Sequence, residues 1–174
     1  MYYADIKQYD VANGPGVRVS LFVSGCTHHC KNCFNEVAWD FHYGNEFTDG
    51  EMNRVLEYLA PDYVKGLTLL GGEPLEHTNQ QGLLPLVKKV KETYPGKDIW
   101  CFTGYDFDRD VKGRMMKDWP ETRALFSYID VLVDGPFVEA YKSVALRFKG
   151  SSNQRTIDVK RSLESGETVL MEGF

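Results

Sequence analysis

The chain has 174 residues, and its 25 Asp and Glu against 20 Lys and Arg give a formal net charge of −5; this argues against a nucleic-acid binder, whose phosphate contacts need clustered cations. With 43% hydrophobic and 26% charged residues, it reads as one globular domain, able to bury about 70% of its unfolded surface without disulfide or zinc staples. No apolar run approaches the roughly 18 residues of a membrane span, and the first ten residues are polar and acidic, so a soluble protein without a secretory signal, in the cytoplasm, is expected.

Short β-rich runs alternate with longer helical patterns, and each run ends at glycine or a small polar residue, the βαβ rhythm of a parallel sheet. Val17 to Val23 reads as the first strand and stops at Ser24-Gly25. Thr48-Asp49-Gly50-Glu51 fits a capping box that opens a helix through Ala60, with Met52, Val55, Leu56 and Leu59 on one apolar face. The second strand, Leu67 to Leu70, ends at Gly71-Gly72, and the next helix spans about Gln80 to Thr93, with Leu83, Leu84, Leu86, Val87 and Val90 facing inward. Asp98 to Phe102 is the third strand, Asp106 to about Phe126 a helical region interrupted near Trp119-Pro120, and Ile129 to Val133 the fourth strand. Four strands are too few for an eight-stranded β/α barrel, which needs about 250 residues, so a partial, open barrel or a small doubly wound sheet is expected. From Gly135 onward the pattern breaks down. Between residues 147 and 161, Arg147, Lys149, Arg155, Lys160 and Arg161 stand against the single acid Asp158, which suits a solvated basic segment, or else a docking surface for an acidic partner or a ligand's carboxylate.

Four cysteines occur, and three of them, Cys26, Cys30 and Cys33, fall within one loop after the first strand. Thiols so close together in a reducing compartment read as metal or redox chemistry rather than a disulfide framework. A structural zinc site closes with four ligands; no second cysteine knuckle exists, and His28 and His29 would be strained in reaching a metal held by their neighbours. Three thiolates can instead hold an iron–sulfur cluster with one iron uncovered, a site for substrate. Cys101, within Ile99-Trp100-Cys101-Phe102, reads as a small buried hydrophobe. At the end of the second strand Gly71-Gly72-Glu73-Pro74 is either a tight turn or a ligand contact: paired glycines let backbone approach a ligand, and Glu73 offers an acceptor for an ammonium.

The Cys26-x3-Cys30-x2-Cys33 spacing, joined to Gly71-Gly72-Glu73-Pro74, resembles the radical S-adenosylmethionine enzymes. That resemblance implies an open, partial β/α barrel of mostly parallel strands. It also implies a [4Fe–4S] cluster on the three cysteines, its fourth iron chelated by the amino and carboxylate groups of S-adenosylmethionine, with the glycine-rich turn binding the amino group. Further segments, Asn13-Gly14-Pro15-Gly16-Val17-Arg18, Phe47-Thr48, Lys97-Asp98-Ile99-Trp100, Thr103-Gly104-Tyr105, Val133-Asp134-Gly135 and Gly150-Ser151-Ser152-Asn153-Gln154, are similar to the activating enzymes of anaerobic (class III) ribonucleoside-triphosphate reductases. For such an enzyme the resemblance implies reductive cleavage of S-adenosylmethionine, and a 5′-deoxyadenosyl radical that takes hydrogen from a glycine of the reductase. The implied partners are that reductase and an electron donor such as flavodoxin or ferredoxin. No acid–base catalytic residue is required beyond the cofactors. Thr103 and Gly104 are expected to contact ligand because ligand sites collect at the carboxyl ends of parallel strands. Asn32 and Phe34, flanking Cys33, are assigned by the resemblance to the adenine, while Asp134, at the end of the fourth strand, is expected to contact a ligand or an adjacent cation. Asn32 stands where relatives often have glycine, and Glu73 where some have aspartate. The Asn13-to-Gly16 segment reads as a tight turn or a partner-facing loop. Residues 156–174 form an extension that matches nothing in the family pattern.

Overall fold

The computed structural model describes residues 1–174. Its frame is seven strands: β1 (Tyr2–Asp10), β2 (Val17–Val23), β3 (Asn45–Glu46), β4 (Val64–Gly71), β5 (Asp98–Phe102), β6 (Val131–Asp134) and β7 (Arg155–Asp158). They form one open sheet in the order β3-β1-β2-β4-β5-β6-β7. The central four, β2, β4, β5 and β6, are the strands expected from the sequence, and they are parallel. Antiparallel strands flank them, β1 on β2 with β3 beyond it, and β7 on β6.

The flanking strands were hidden in the sequence for a physical reason. An antiparallel strand with one wet face needs no continuous apolar run, and in β1 only Tyr3 and Asp10 are buried. β7 corrects the expectation of a solvated C-terminal segment: Ile157 and Val159 are fully buried, and Arg155 is drawn into an acidic network. Its guanidinium donates to Asp134 Oδ1 at 3.0 Å and to Asp108 Oδ2 at 3.0 Å.

The helices up to Phe126 follow the sequence signals closely, whereas the last one has no counterpart in them. α1 (Asp49–Leu59) begins with the Thr48–Glu51 capping box in place. α2 (His77–Thr93) starts a turn earlier than its apolar pattern suggests and carries Pro85 inside it. After β5 comes a π-helix, Phe107–Met115, then α3 (Met116–Asp118), a break at Trp119 and α4 (Pro120–Phe126), which starts on its proline. α5 (Val159–Ser165) follows β7 and ends on Gly166 in the left-handed conformation. No helix is long and apolar enough to cross a membrane.

Alternation along the strands gives the sheet two different faces. Val19, Leu21 and Val23, with Leu67, Leu69, Ile99, Cys101 and Leu132, pack under the helices in the main core. Cys101 is fully buried. The other face carries Arg18, Phe22, Thr68, Leu70, Trp100 and Phe102. On it Trp100, Val131 and Val133 gather Phe102, Phe148, Met171 and Phe174 into a second cluster. Arg18 is fully buried there. It donates to Thr68 Oγ1 at 2.7 Å and to the Leu67 carbonyl at 2.9 Å, and it pairs with Asp98 Oδ1 at 2.6 Å. Thr68 in turn donates to the Asn13 carbonyl at 2.8 Å. A Cβ on Gly14, whose φ is +127°, would lie 2.8 Å from Arg18 Cδ. The Asn13-to-Gly16 segment is therefore a tight turn folded over a buried arginine.

Asp108 links the π-helix to β7. Burial alone would raise its carboxyl pKa, but hydrogen bonds from Lys112, Thr168 and Arg155 outweigh it and hold the group at about 2 against an ordinary 3.8. A carboxyl depressed on folding adds stability above its unfolded pKa, and that stability is lost as pH falls through the folded value. Urea denaturation at stepped pH is expected to show stability falling between pH about 4 and about 2. Asp108→Asn should flatten that limb, and an unchanged slope in the variant would remove this network from the acid response.

Candidate iron–sulfur site

The carboxyl ends of β2, β4 and β5 open into one cavity of about 680 Å³, within the ordinary range of ligand sites. Cys26, Cys30, Cys33, Phe34, Gly71, Gly72, Glu73, Thr103 and Gly104 all line it. Sequence positions up to about eighty residues apart thus share one wall system, because parallel strands place all their carboxyl-end turns on the same edge.

The cysteine loop is held by backbone bonds and by two carboxylates. Gly25 N–H donates to the Ala38 carbonyl at 2.8 Å and Cys26 N–H to that of Trp39 at 3.2 Å. Thr27 donates to Glu76 Oε1 from its amide at 2.9 Å and from its hydroxyl at 2.6 Å. His28 Nε2 lies 2.8 Å from Glu73 Oε2. Burial alone would lower the His28 pKa, but the hydrogen bond and charge of Glu73 outweigh it and the pKa is raised. Asn32 has φ +57°, a conformation glycine adopts freely and asparagine tolerates best among the rest, so its substitution for glycine suits the local backbone.

Burial pushes the Cys26 thiol up to about 12, with amides of His28 and His29 pulling the other way. Burial also raises Cys30, opposed by the Phe137 amide, and Asn35 N–H donates to Cys33 Sγ at 3.4 Å. The sulfurs share a wall but are not drawn to metal-binding spacing. Three soft sulfur donors ringed by amide N–H groups suit an iron–sulfur cluster, whose thiolates take such bonds. Zinc is poorly served. His28 is engaged with Glu73, and His29 stacks on Trp39 with ring centroids 4.4 Å apart, so neither histidine is placed to be a fourth ligand.

Glu73 holds the site together. It is 1% exposed, and its oxygens are filled by Leu75 N–H at 2.8 Å, Thr103 Oγ1–H at 2.7 Å, Gly104 N–H at 2.8 Å and the His28 ring. Each oxygen thus accepts two bonds within the protein, a role for this carboxylate that the motif's spacing did not show. Gly72 is also explained differently. A Cβ there would fall 2.6 Å from the Gly25 carbonyl oxygen and 2.9 Å from that of Ala38, so the cysteine loop, rather than a ligand, requires the glycine. Gly104 is similar, since its Cβ would meet the His28 ring at 2.7 Å.

Three expected residues lie outside the cavity lining. Asn32 is exposed and Pro74 is buried behind the turn. Asp134 is 1% exposed, accepts from Phe107 N–H at 2.8 Å and pairs with Arg155. Of the two partners expected for Asp134, a ligand or an adjacent cation, the structure holds the cation, the side chain of Arg155. Sequence reasoning missed His28 and Glu76 as loop anchors and missed residues 137–150 as the opposite wall, where Phe137, Leu146 and Phe148 line the cavity. The bonded partners are 45 and 49 residues apart, so no local spacing marks them.

Residues 12–157 match the family model described as a 4Fe–4S single cluster domain. Three relatives carry the name anaerobic ribonucleoside-triphosphate reductase-activating protein. That of Haemophilus influenzae is 43% identical over 156 residues, covering 88% of this chain and 96% of the relative. That of Enterobacteria phage T4 is 39% identical over 155 residues, 89% and 92% of the two chains, and that of Escherichia coli K12 is 38% identical over 156 residues, 88% and 96%. The chain belongs to this family of activating proteins with a single 4Fe–4S cluster domain.

Replacing Glu73 by Gln puts an N–H donor where donors already point. Glu73→Gln is expected to cost about 1–3 kcal/mol in urea denaturation and to speed amide exchange across Cys26 to Cys33. Unchanged exchange in the loop would refute the role given to this carboxylate.

Proposed function

We propose that this protein is a radical S-adenosylmethionine enzyme that activates an anaerobic ribonucleoside-triphosphate reductase by forming a glycyl radical on it. One observation carries the reading: in a chain of this family, three cysteine thiols and the turns after β4 and β5 line a single cavity at the carboxyl edge of a parallel sheet. The open sheet is then the partial barrel of that enzyme class, built as a single domain. Cys26, Cys30 and Cys33 are the residues to hold a [4Fe–4S] cluster. When bound, the cluster supplies the single electron that splits S-adenosylmethionine into methionine and the radical that takes hydrogen from a glycine Cα.

The chain's own residues bind, orient and shield. Gly71, Gly72, Thr103 and Gly104 present turn backbone beside the thiol wall, with the Thr103 hydroxyl and the Gly104 N–H already engaged by Glu73, and Phe22, Leu70 and Phe102 add apolar surface that excludes water. Phe34, 76% exposed, and Val144, 98% exposed, stand at the mouth. The partner's glycine loop must pass them to bring its C–H within about 3–4 Å of the radical carbon. An electron donor such as flavodoxin or ferredoxin, and a cytoplasmic setting, belong to the same reading.

Anaerobic reconstitution tests the ligand set. Cys30→Ser should lose its iron and Cys101→Ser should keep about four irons, as an intact cubane requires; equal losses would defeat the three-ligand assignment. Mixing the reduced protein with S-adenosylmethionine and the reductase is expected to yield methionine, 5′-deoxyadenosine and a persistent glycyl-radical doublet in electron paramagnetic resonance. Changing the reductase glycine to alanine should abolish the doublet. Steady turnover of a free metabolite with no radical on the reductase would overturn the reading.

A further inference from the structure

One buried donor on the cavity wall has no acceptor. Trp39 lines the cavity together with Cys26, Cys30 and Cys33, and its Nε1–H is shut off from solvent and meets no hydrogen-bond partner. No other residue of the lining carries such an atom. A buried donor left unpaired is costly, so one that persists in a native fold points to an acceptor brought by the site's own ligand.

The indole is fixed to the cysteine loop from two sides. Trp39 ends the 3₁₀ turn Glu36–Trp39 that follows the loop, closed by Ala38 N–H donating to the Asn35 carbonyl at 3.0 Å. The carbonyls of Ala38 and Trp39 receive the Gly25 and Cys26 N–H groups, which ties this turn to the first cysteine. On the other side His29, next to Cys30, lies flat on the indole with an interplanar angle of 7°. His29 reaches that position with φ +50°, a sparsely populated conformation for a residue with a side chain, of the kind that persists at functional sites. Two residues of the ligand-bearing loop therefore set the ring's place, and neither uses its N–H.

Resting on the proposed function, we infer that Trp39 tunes the cluster: its Nε1–H donates to a sulfur of the [4Fe–4S] cluster and raises the reduction potential. Hydrogen bonds to cluster sulfurs are one of the settings of that potential, because a donor stabilises the more negative, reduced state. Bound S-adenosylmethionine is the competing acceptor. The ring's two supports, however, are Cys26, a cluster ligand in this reading, and His29, the neighbour of another, so the indole is held in register with the cluster whatever else the cavity contains.

An anaerobic redox titration of the iron-reconstituted full chain, followed by electron paramagnetic resonance with no S-adenosylmethionine added, tests this. Trp39→Phe keeps an aromatic face for His29 and should keep its iron, yet at a fixed poise its ratio of reduced to oxidised cluster should fall roughly tenfold, a potential about 59 mV lower for one electron. Trp119→Phe alters the other histidine stack, on His77, outside the cavity lining, and should leave the potential unchanged. Should Trp39→Phe fail to hold iron, the parent chain grown with 5-fluorotryptophan supplies the measurement: fluorine makes the indole N–H a stronger donor and should raise the potential. An unmoved potential in the iron-replete Trp39→Phe protein or in the fluorinated parent, or an equal fall in Trp39→Phe and Trp119→Phe, would overturn the inference. So would weaker binding of S-adenosylmethionine with the potential unmoved, which would assign the donor to that ligand. A parent chain that takes up no iron would instead bring down the proposed function.

Discussion

The carboxylate of Glu73 is the constraint on which the site depends. It receives donors from three separate places: the cysteine loop through His28, the turn after β5 through Thr103 and Gly104, and its own turn through Leu75. A buried carboxylate is costly unless each lone pair is used, so the three segments are held to one arrangement. Gly72 and Gly104 stay small because loop backbone and the His28 ring occupy the space beside them. The thiol wall therefore takes its position from a carboxylate none of whose hydrogen bonds goes to a sulfur.

A second set of polar contacts governs the far side. Arg155 binds Asp134 at the end of β6 and Asp108 on the π-helix, and hydrogen bonding to Asp134 is the leading cause of its raised pKa. β7 is thereby fastened to the sheet, and the segment before it is carried across the open face. Buried Arg18 does the corresponding work at the opposite edge, fixing the turn before β2 and pairing with Asp98. Between these anchors the apolar residues Phe22, Leu70, Phe102 and Phe148 line a cavity in place of a filled core.

Much of this was legible in the amino-acid order. The four parallel strands and α1 declared themselves through β-branched runs, glycine stops and a capping box, all local signals. The break at Trp119-Pro120 fell where proline demands it. The cysteines and the paired glycines were recognisable by spacing and type. β1 and β7 escaped because β1 alternates between part-buried and exposed positions and β7 is four residues long with a charge at each end, so each is defined by its partner strand and not by its own composition.

The sequence by itself determined the ligand chemistry: three thiols on a short loop and a glycine-rich turn at a strand end carry their meaning wherever the chain folds. Only the tertiary structure decided how the acidic and basic residues are used. Glu73 and Asp134 looked like ligand contacts, and Arg155 like part of a solvated basic segment, but hydrogen-bond satisfaction is settled between residues far apart in sequence. Burial next to a complementary donor or counter-charge made struts of all three.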